Sequence, residues 1–341
     1  CVRGIGGEVD IDNTDLVEEN FYCARAVGGT AVQASMALSG IGYPSVVHLT
    51  DNSRGVCNIL ESPYIYTVSE KGKLVYTSEI CQSHEQEVHF IIQFKKGDKI
   101  CLGCQEEEIP CSNRLILTKI TVNEELPLFE PYFQWIENHA GNVSSIVLSS
   151  FNAIREMSVL NRRLDSVVRH IQKYRENNPA GIVFFEDAHY HNLDVRKACS
   201  KRLYSWVDIV SLNEDELQYA LKEITDVEID CNDIISCVEG ARLFQKKFHI
   251  RLGLIIHTKD YSMYTGIMPG ADIEKGLLYG NLLATAKAFF GTYGTREQID
   301  RIMELDISPL GLQHYCKVAK SKYSSETVLV PTRYIDKPKY T

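Results

Sequence analysis

The 341-residue chain is 44% apolar, and its 36 basic and 45 acidic side chains give a formal net charge of −9. This length and composition predict a large core, in one large α/β domain with an insertion or in two domains, and the negative charge disfavours nucleic acid or an anionic membrane as a partner. No apolar run approaches the roughly 20 residues that cross a bilayer, so we expect a cytosolic protein that binds small molecules.

The first pattern along the chain is a pair of glycines in front of an apolar helix. Gly28 and Gly29 directly precede residues 30–38, which are mostly apolar or small. Glycine allows backbone N–H groups to approach a ligand at the positive end of a helix, so this segment is a candidate binding loop. A plain turn before a helix is the alternative.

Short β-branched and aromatic runs characterise residues 57–117. Four of them, separated by Gly, Lys and Ser, read as strands: 64–68, 74–76, 89–94 and 114–118. We expect a small antiparallel β unit, inserted after the first βαβ elements. Ligands bind at the carboxyl ends of the strands in open α/β sheets, so such a unit would act there as a lid.

Cysteines in the same region permit two interpretations. Cys101 and Cys104 form a Cys-x-x-Cys pair close to Cys111, and a fourth ligand such as His84 or His89 would complete a zinc site. The alternative is a β-hairpin, because Gly and Lys residues interrupt alternating apolar positions here. The remaining cysteines lie mostly in apolar segments and are expected to be reduced thiols.

From residue 143 onward, apolar strands alternate with amphipathic helices, which is typical of a mostly parallel sheet covered on both faces. The predicted strands are 145–150, 182–186, 207–212, 252–258 and 327–332. Apolar residues at steps of three and four predict a helix over 157–171. Two further helices are predicted over 234–248 and 276–290.

Acidic side chains follow two of these strands. Glu186 ends the strand 182–186, while Asn213 and Glu216 come directly after the strand 207–212. Mg²⁺ prefers oxygen ligands and keeps several waters, so these side chains could hold a Mg²⁺ that bridges phosphates. The alternative is a solvated acidic turn that favours the helix dipole.

Several segments together resemble the ADP-dependent sugar kinases, the glucokinase and phosphofructokinase family of the ribokinase-like superfamily. The similar segments are 26–38 (Gly-Gly-x-Ala), 111–116 (Asn-Arg-x-x), 207–217 (Asn-Glu-x-Glu-Leu), 255–258 (His-Thr) and 328–338 (Val-Pro-Thr-Arg). The resemblance implies an α/β fold, with a ribokinase-like, mostly parallel sheet, helices on both faces and a small β-rich lid. We expect a large domain formed by residues 24–56 and 118–341, and a lid with adjoining segments formed by 1–23 and 57–117.

The resemblance implies that Asn213 and Glu216 organise Mg²⁺ and its waters, with Glu186 assisting. Glu186 matches the glutamate of the family's His-x-Glu motif, but Phe184 stands where that motif has histidine. This departure puts the local metal network in question.

For the nucleotide, the resemblance implies contacts from five residues: Arg114, His257, Tyr264, Val330 and Pro331. The Arg114 guanidinium would bind a phosphate, because its planar fork can hold two oxygens, and the others would border the adenine. Three structural alternatives remain open: Arg114 as a surface residue, His257 as a buried and satisfied histidine, and Tyr264 as a packing residue.

For the sugar, the resemblance implies that the Gly28-Gly29 segment lines the site and that Glu8 contacts a hydroxyl. A carboxylate at Glu8 would repel a sugar phosphate, which favours glucose over fructose 6-phosphate. A turn glutamate without a ligand is equally compatible with the sequence.

The implied reaction transfers the β-phosphoryl group of ADP to a sugar hydroxyl, giving AMP and sugar phosphate. In the family, a Gly-x-Gly-Asp loop with the general-base Asp follows the Val-Pro-Thr-Arg segment, so that Asp is expected beyond Thr341. We therefore expect a fragment that is inactive by itself. Two alternatives are an ATP-dependent kinase acting on a nucleoside or another small alcohol, and a non-catalytic sugar- or nucleotide-binding homologue. The sequence leaves the oligomeric state open.

Overall fold

A computed structural model describes residues 7–11, 13, 15–83, 88–102, 105–119, 122–190 and 192–335. Its strands are β1 (Gly7–Asp10), β2 (Ser45–Val46), β3 (Ile65–Val68), β4 (Leu74–Tyr76), β5 (Val88–Phe94), β6 (Lys99–Leu102), β7 (Gln105–Glu108), β8 (Asn113–Lys119), β9 (Ser145–Leu148), β10 (Ile182–Glu186), β11 (Ile209–Leu212), β12 (Gly253–His257), β13 (Tyr261–Gly266) and β14 (Thr327–Pro331). Its α-helices are α1 (Asp15–Asn20), α2 (Thr30–Gly40), α3 (Arg54–Ile59), α4 (Val122–Glu125), α5 (Glu130–Asn138), α6 (Met157–Asn177), α7 (Leu193–Arg202), α8 (Glu214–Thr225), α9 (Ile234–Phe248), α10 (Ile273–Phe290), α11 (Arg296–Met303) and α12 (Pro309–Ala319).

The central sheet has six strands in the order β14-β13-β12-β11-β10-β9. Strands β9 to β12 run parallel, β13 is antiparallel to β12, and β14 is antiparallel to β13. The predicted α/β fold with a mostly parallel sheet is confirmed, and all five predicted strands of this sheet are present. The sixth strand, β13, was not predicted. All six of its residues are buried, so its sequence lacks the alternation that marks a half-exposed strand.

Helix α6 shows how the sequence pattern produces this core. Its apolar residues return to one face and are buried against the sheet: Leu160, Leu164, Val167, Ile171 and Tyr174. Burying each leucine contributes roughly 1.5–3 kcal/mol. The predicted helix is confirmed and continues to Asn177, where the chain turns back towards β10. In this turn Gly181 leaves room for the Tyr174 ring, because a Cβ there would lie 2.2 Å from the Tyr174 hydroxyl.

Three smaller sheets accompany the central one among the described residues. Their strand orders are β1-β8-β5, β2-β3-β4 and β6-β7. The runs predicted between residues 57 and 117 are strands, but they are divided among these sheets rather than joined in one antiparallel unit. The reason is that β3 pairs in parallel with β2, whereas β8 pairs in parallel with β1. The predicted division into a lid and a large domain stays a prediction.

The cysteine-rich region forms the hairpin of β6 and β7, with Lys99 opposite Glu108. Cys101 and Cys111 are exposed thiols, while Cys104 and His84 lie outside the described residues. Across the described ranges, no three His, Cys, Asp or Glu side chains form a group that could hold a metal ion. In the same ranges, no helix combines the length and hydropathy that crossing a bilayer requires.

Candidate active site at the carboxyl edge of the central sheet

Three neighbouring strands deliver polar side chains to one edge of the sheet. Glu186 ends β10 and pairs in register with Ser211 of β11, and His257 ends β12. The Oε1 atom of Glu186 lies 3.7 Å from Nε2 of His257, and the hydroxyl oxygen of Ser211 lies 3.2 Å from Nδ1 of the same ring. Because parallel strands end at a common edge, these residues meet although they are distant in sequence.

The environment of the Glu186 carboxyl group disfavours its ionised form. Burial, the nearby Glu216 carboxylate and Asp187 raise the pKa of Glu186 to about 7, although a hydrogen bond from Ser211 opposes the shift. Burial also lowers the pKa of His257 below its ordinary value, so the ring is neutral at pH 7 and does not offset the carboxylate charge. A cation bound beside Glu186 would relieve both desolvation and repulsion.

Asn213 and Glu216 form a capping box at the start of α8. The Asn213 N–H donates to Oε2 of Glu216 at 2.9 Å, and the Glu216 N–H donates to Oδ1 of Asn213 at 2.8 Å. These two side chains therefore also stabilise the start of α8, a role that the sequence analysis did not assign to them. It does not exclude a metal role, because the second carboxylate oxygen of Glu216 is not part of the box. Burial raises the pKa of Glu216, as do Asp187 and Glu214, while the Asn213 N–H and Arg196 lower it.

A cleft of about 540 Å³ opens at this end of α8 and has the size of a small-molecule site. Its lining residues are His189, Asn213, Asp215, Glu216, Gln218, Tyr219, Lys222 and Glu228. Glu186 is not one of these lining residues, and 23% of its side chain is exposed. The cleft therefore presents Asn213 and Glu216 directly, while Glu186 interacts with the charge of Glu216.

This donor set suits Mg²⁺ better than a metal that needs an all-protein cage. It consists of carboxylate and amide oxygens, and Mg²⁺ commonly takes one or two carboxylates and completes its shell with water and phosphate oxygens. Glu216 is one of the groups that raise the pKa of Glu186, so the charges of the two carboxylates interact across the strand ends. At the position of the family's motif histidine, Phe184 packs in a hydrophobic cluster and offers no ligand.

The residues expected at the adenine are only partly brought together. His257 pairs with Ser262 of β13, and Ser262 pairs with Val330 of β14, so His257 and Val330 stand in one row across three strands. The Val330 side chain is buried and its carbonyl accepts a hydrogen bond from Asn281 at 2.9 Å. Pro331 follows at the end of β14 and is half-buried. Their contacts with a nucleotide remain predictions.

The structure does not bring Tyr264 to the edge that carries His257. This side chain is fully buried in the middle of β13, and its hydroxyl donates to the carbonyl of Ile267 at 2.6 Å. Ile267 follows the end of β13 that pairs with the start of β12, so the hydroxyl points away from the edge that carries His257. This placement favours the packing alternative, and a contact between Tyr264 and the nucleotide stays a prediction.

Arg114 is exposed near the start of β8, opposite Gln93 of β5. The other end of β8 lies beside Asp10, whose carboxylate receives bonds from Arg155 at 3.2 and 3.1 Å. Arg114 and Thr118 are four positions apart along the strand, which is about 13 Å. The phosphate contact of Arg114 remains a prediction.

On the sugar side, Gly29 is the N-cap of α2 with φ of +91°, a conformation that favours glycine. A Cβ added at Gly28 or Gly29 would meet no atom within 4 Å, so this helix start is open. The Gln33 amide donates to the Val27 carbonyl and fixes the loop in front of the helix. Glu8 belongs to β1 and pairs with Ile116, but its side chain lies outside the described residues.

Sequence reasoning missed a buried network directly behind Glu186. Asp187 is buried and accepts hydrogen bonds from Arg196 at 3.2 Å and from the Tyr204 hydroxyl at 2.8 Å. The available signal was weak: an Asp directly after an apolar strand, followed nine residues later by an Arg on a helix.

The sequence model described as "ADP-specific Phosphofructokinase/Glucokinase conserved region" matches residues 8–341. The chain belongs to this family. Within the ADP-specific phosphofructokinase/glucokinase family, it is 24% identical to the ADP-specific phosphofructokinase of Thermococcus litoralis, over 93% of this chain and 74% of the relative. It is 25% identical to the ADP-dependent glucose/glucosamine kinase of Pyrococcus abyssi, over 93% of this chain and 72% of the relative.

The solved structure of an ADP-dependent kinase in complex with fructose 6-phosphate and ADPbetaS matches the fold with a TM-score of 0.80 at 19% identity. That match covers 99% of this chain and 82% of the solved one. Family members therefore include both glucose-using and phosphofructokinase-type enzymes, and identity to the two types is nearly equal. The ribokinase-like fold predicted from the sequence is confirmed.

Proposed function

We propose that the protein is a phosphotransferase that moves the β-phosphoryl group of ADP to a sugar hydroxyl and releases AMP. The observation that carries the proposal is the convergence of Glu186 and Glu216 from neighbouring strand ends beside a cleft of about 540 Å³. Related kinases of both types, the ADP-specific phosphofructokinase and the ADP-dependent glucose/glucosamine kinase, are named for ADP as the donor. The proposed reaction is a displacement at phosphorus, for which positioning and charge neutralisation supply most of the catalysis.

In this proposal Glu186, Asn213 and Glu216 would hold a Mg²⁺ ion, which neutralises phosphate charge when bound. The chain's own groups supply the remaining functions. The Glu216 carboxylate and the Asn213 amide face the cleft from the first turn of α8, and the neutral His257 ring sits beside Glu186 without adding a competing positive charge. The open helix start at Gly28 and Gly29 offers backbone N–H groups to the sugar.

We also propose that residues 24–56 and 118–341 form the large domain, and that residues 1–23 and 57–117 contribute the lid. A contact that supports this arrangement is Arg155, which follows β9 and reaches Asp10 at the end of β1. Closure of a lid would exclude water, which otherwise competes with the sugar for the phosphoryl group. For the sugar itself, we propose glucose, on the ground that the Glu8 carboxylate would repel a sugar phosphate.

The test is conversion of ADP to AMP, or of ATP to ADP, by the full-length protein with Mg²⁺ and either glucose or fructose 6-phosphate. We expect turnover only with ADP, and a larger kcat/KM with glucose. Turnover with ATP alone would reject the donor assignment, and a preference for fructose 6-phosphate would reject the role of Glu8. A chain that binds nucleotide but turns over neither donor would support a non-catalytic homologue instead.

A further inference from the structure

A fully buried arginine lies between the two elements that carry the proposed metal ligands. Arg196 of α7 has no exposed surface, and its Nη2 atom donates to Oδ2 of Asp187 at 3.2 Å. Asp187 directly follows Glu186 and is itself buried. The guanidinium therefore fixes the chain immediately after β10, next to Glu186.

The same guanidinium also touches α8. Its central carbon lies 5.6 Å from the ring centroid of Tyr219 and 5.1 Å from that of Tyr190. Tyr219 lies on α8 three residues after Glu216, and both line the cleft. Residues three apart on a helix share a face, so a group packed on Tyr219 constrains the first turn of α8 as well. Arg196 thus contacts both halves of the site.

The cost of burying this arginine argues against a purely stabilising role. Its Nε and Nη1 atoms, and Oδ1 of Asp187, have no hydrogen-bond partner among the described residues. Such incompletely satisfied buried pairs contribute little net stability, and apolar residues of similar volume often serve as well or better. Retaining the pair at this position is more readily explained by what it holds in place.

We propose that Arg196 is a positioning residue that sets the separation of Glu186 and Glu216, and so determines how tightly the site binds a divalent cation. The inference rests on the proposed function, because it assigns Arg196 to the metal site described there. Groups that orient metal ligands without touching the metal typically change metal affinity by about 10- to 100-fold when removed.

The chain offers a matched control at the opposite edge of the sheet. Arg175 of α6 donates from Nη2 to Oδ2 of Asp208 at 2.9 Å, and the Asp208 side chain is 2% exposed. Asp208 directly precedes β11, whereas Asn213 follows the other end of that strand. Removing Arg175 therefore breaks a largely buried ion pair without touching the elements beside the cleft, although Asp208 keeps Arg251 as a second partner at 2.9 Å.

The test is Mn²⁺ binding, followed by the electron paramagnetic resonance signal of free Mn²⁺, in the full chain and in four variants: Arg196→Met, Arg196→Lys, Arg175→Met and Glu216→Gln. We expect Arg196→Met to weaken Mn²⁺ binding at least about tenfold. Arg196→Lys keeps the charge beside Asp187 but loses the planar stack on Tyr219, so it should fall between Arg196→Met and the parent. Arg175→Met should lower Tm but leave the Mn²⁺ affinity within about twofold of the parent, since its pair lies outside the metal site.

Two outcomes overturn the inference. One is parental Mn²⁺ affinity in a folded Arg196→Met variant, and the other is an equal loss in Arg196→Met and Arg175→Met. If Arg196→Met does not fold, the Arg196→Lys variant decides, and parental affinity there contradicts the proposal. Failure of the proposed function gives a different pattern. The parent then either does not bind Mn²⁺ or binds it as tightly as Glu216→Gln does, and Arg196 has no metal site to organise.

Discussion

Replacing Glu186 by glutamine is expected to stabilise the metal-free protein at pH 8 and to leave its stability at pH 4 nearly unchanged. Burial and the nearby Glu216 raise the pKa of Glu186 from 4.5 to about 7. The folded state then binds a proton more tightly than the unfolded state, so this group lowers stability as pH rises from about 4.5 to about 7. Glutamine has nearly the same shape, can still accept the Ser211 hydrogen bond, and does not titrate.

The size of the effect follows from the same two pKa values. Their difference of about 2.5 corresponds to at most about 3.5 kcal/mol, since each pKa unit is worth about 1.4 kcal/mol. The side chain is 23% exposed, so partial solvation reduces this ceiling, and we expect a difference of about 2 kcal/mol above pH 7. The stability that the Glu186→Gln variant gains is the stability that the native protein loses by keeping a carboxylate here. Cation binding at the site explains why the native protein keeps it.

Urea unfolding of both proteins at pH 4, 6 and 8, in the presence of a chelator, measures this difference. The free energies of unfolding should coincide at pH 4 and diverge in favour of Glu186→Gln by pH 8. Saturating Mg²⁺ should then stabilise the parent and not the variant, because a ligand of the folded state adds stability by mass action. Equal pH dependence in the two proteins would refute the claim that Glu186 is held in a costly environment.

Three further predictions follow from packing and backbone geometry. Leu164→Ala should lower the free energy of unfolding by about 2–5 kcal/mol in urea titrations, because Leu164 is fully buried between α6 and the sheet; a loss below 1 kcal/mol would contradict that packing. Gly29→Ala should cost about 1–2 kcal/mol in the same assay because φ is +91°, whereas the control Gly28→Ala, with open space around its added methyl, should change stability by less than about 0.5 kcal/mol. Tyr264→Phe should cost about 1 kcal/mol by losing the bond to Ile267 and leave the calorimetric Kd for ADP unchanged, so a weaker ADP affinity would return Tyr264 to the nucleotide site.

The central sheet was predictable because its signals are local. The strand over 182–186 is a continuous apolar run that ends on a charged residue, and the stripe from Leu160 to Tyr174 has helical spacing. Helix α9 occupies the range 234–248 that was predicted for it. In each case the residues that pack together are neighbours along one element, so periodicity alone reveals them.

The errors arose where the structure depends on distant partners. β3 pairs with the two-residue strand β2, which is too short to leave a pattern in the sequence. β13 is buried on all sides, so Tyr264 could not be separated from a ligand contact by its sequence neighbourhood. The pair of Asp187 and Arg196 depends on the docking of α7 behind β10, which no sequence spacing specifies.

The same distinction applies to the candidate site. The chain positions of Glu186, Asn213 and Glu216 at strand ends could be inferred, since parallel strands share a carboxyl edge. The capping box that joins Asn213 to Glu216 was not predicted, because the alternative to a metal site was only a solvated acidic turn. The raised pKa of Glu186 depends on burial and on a carboxylate thirty residues away, which are tertiary properties.

Calorimetric titration of ADP into the parent and into Glu216→Gln, each with and without Mg²⁺, tests the central claim most directly. Glutamine can still accept the Asn213 N–H bond of the capping box, so the helix start should be preserved in the variant. We predict that Mg²⁺ strengthens ADP binding to the parent by at least about tenfold and that Glu216→Gln abolishes this gain. An ADP affinity that is the same with and without Mg²⁺ in both proteins would contradict a metal-dependent nucleotide site at these strand ends.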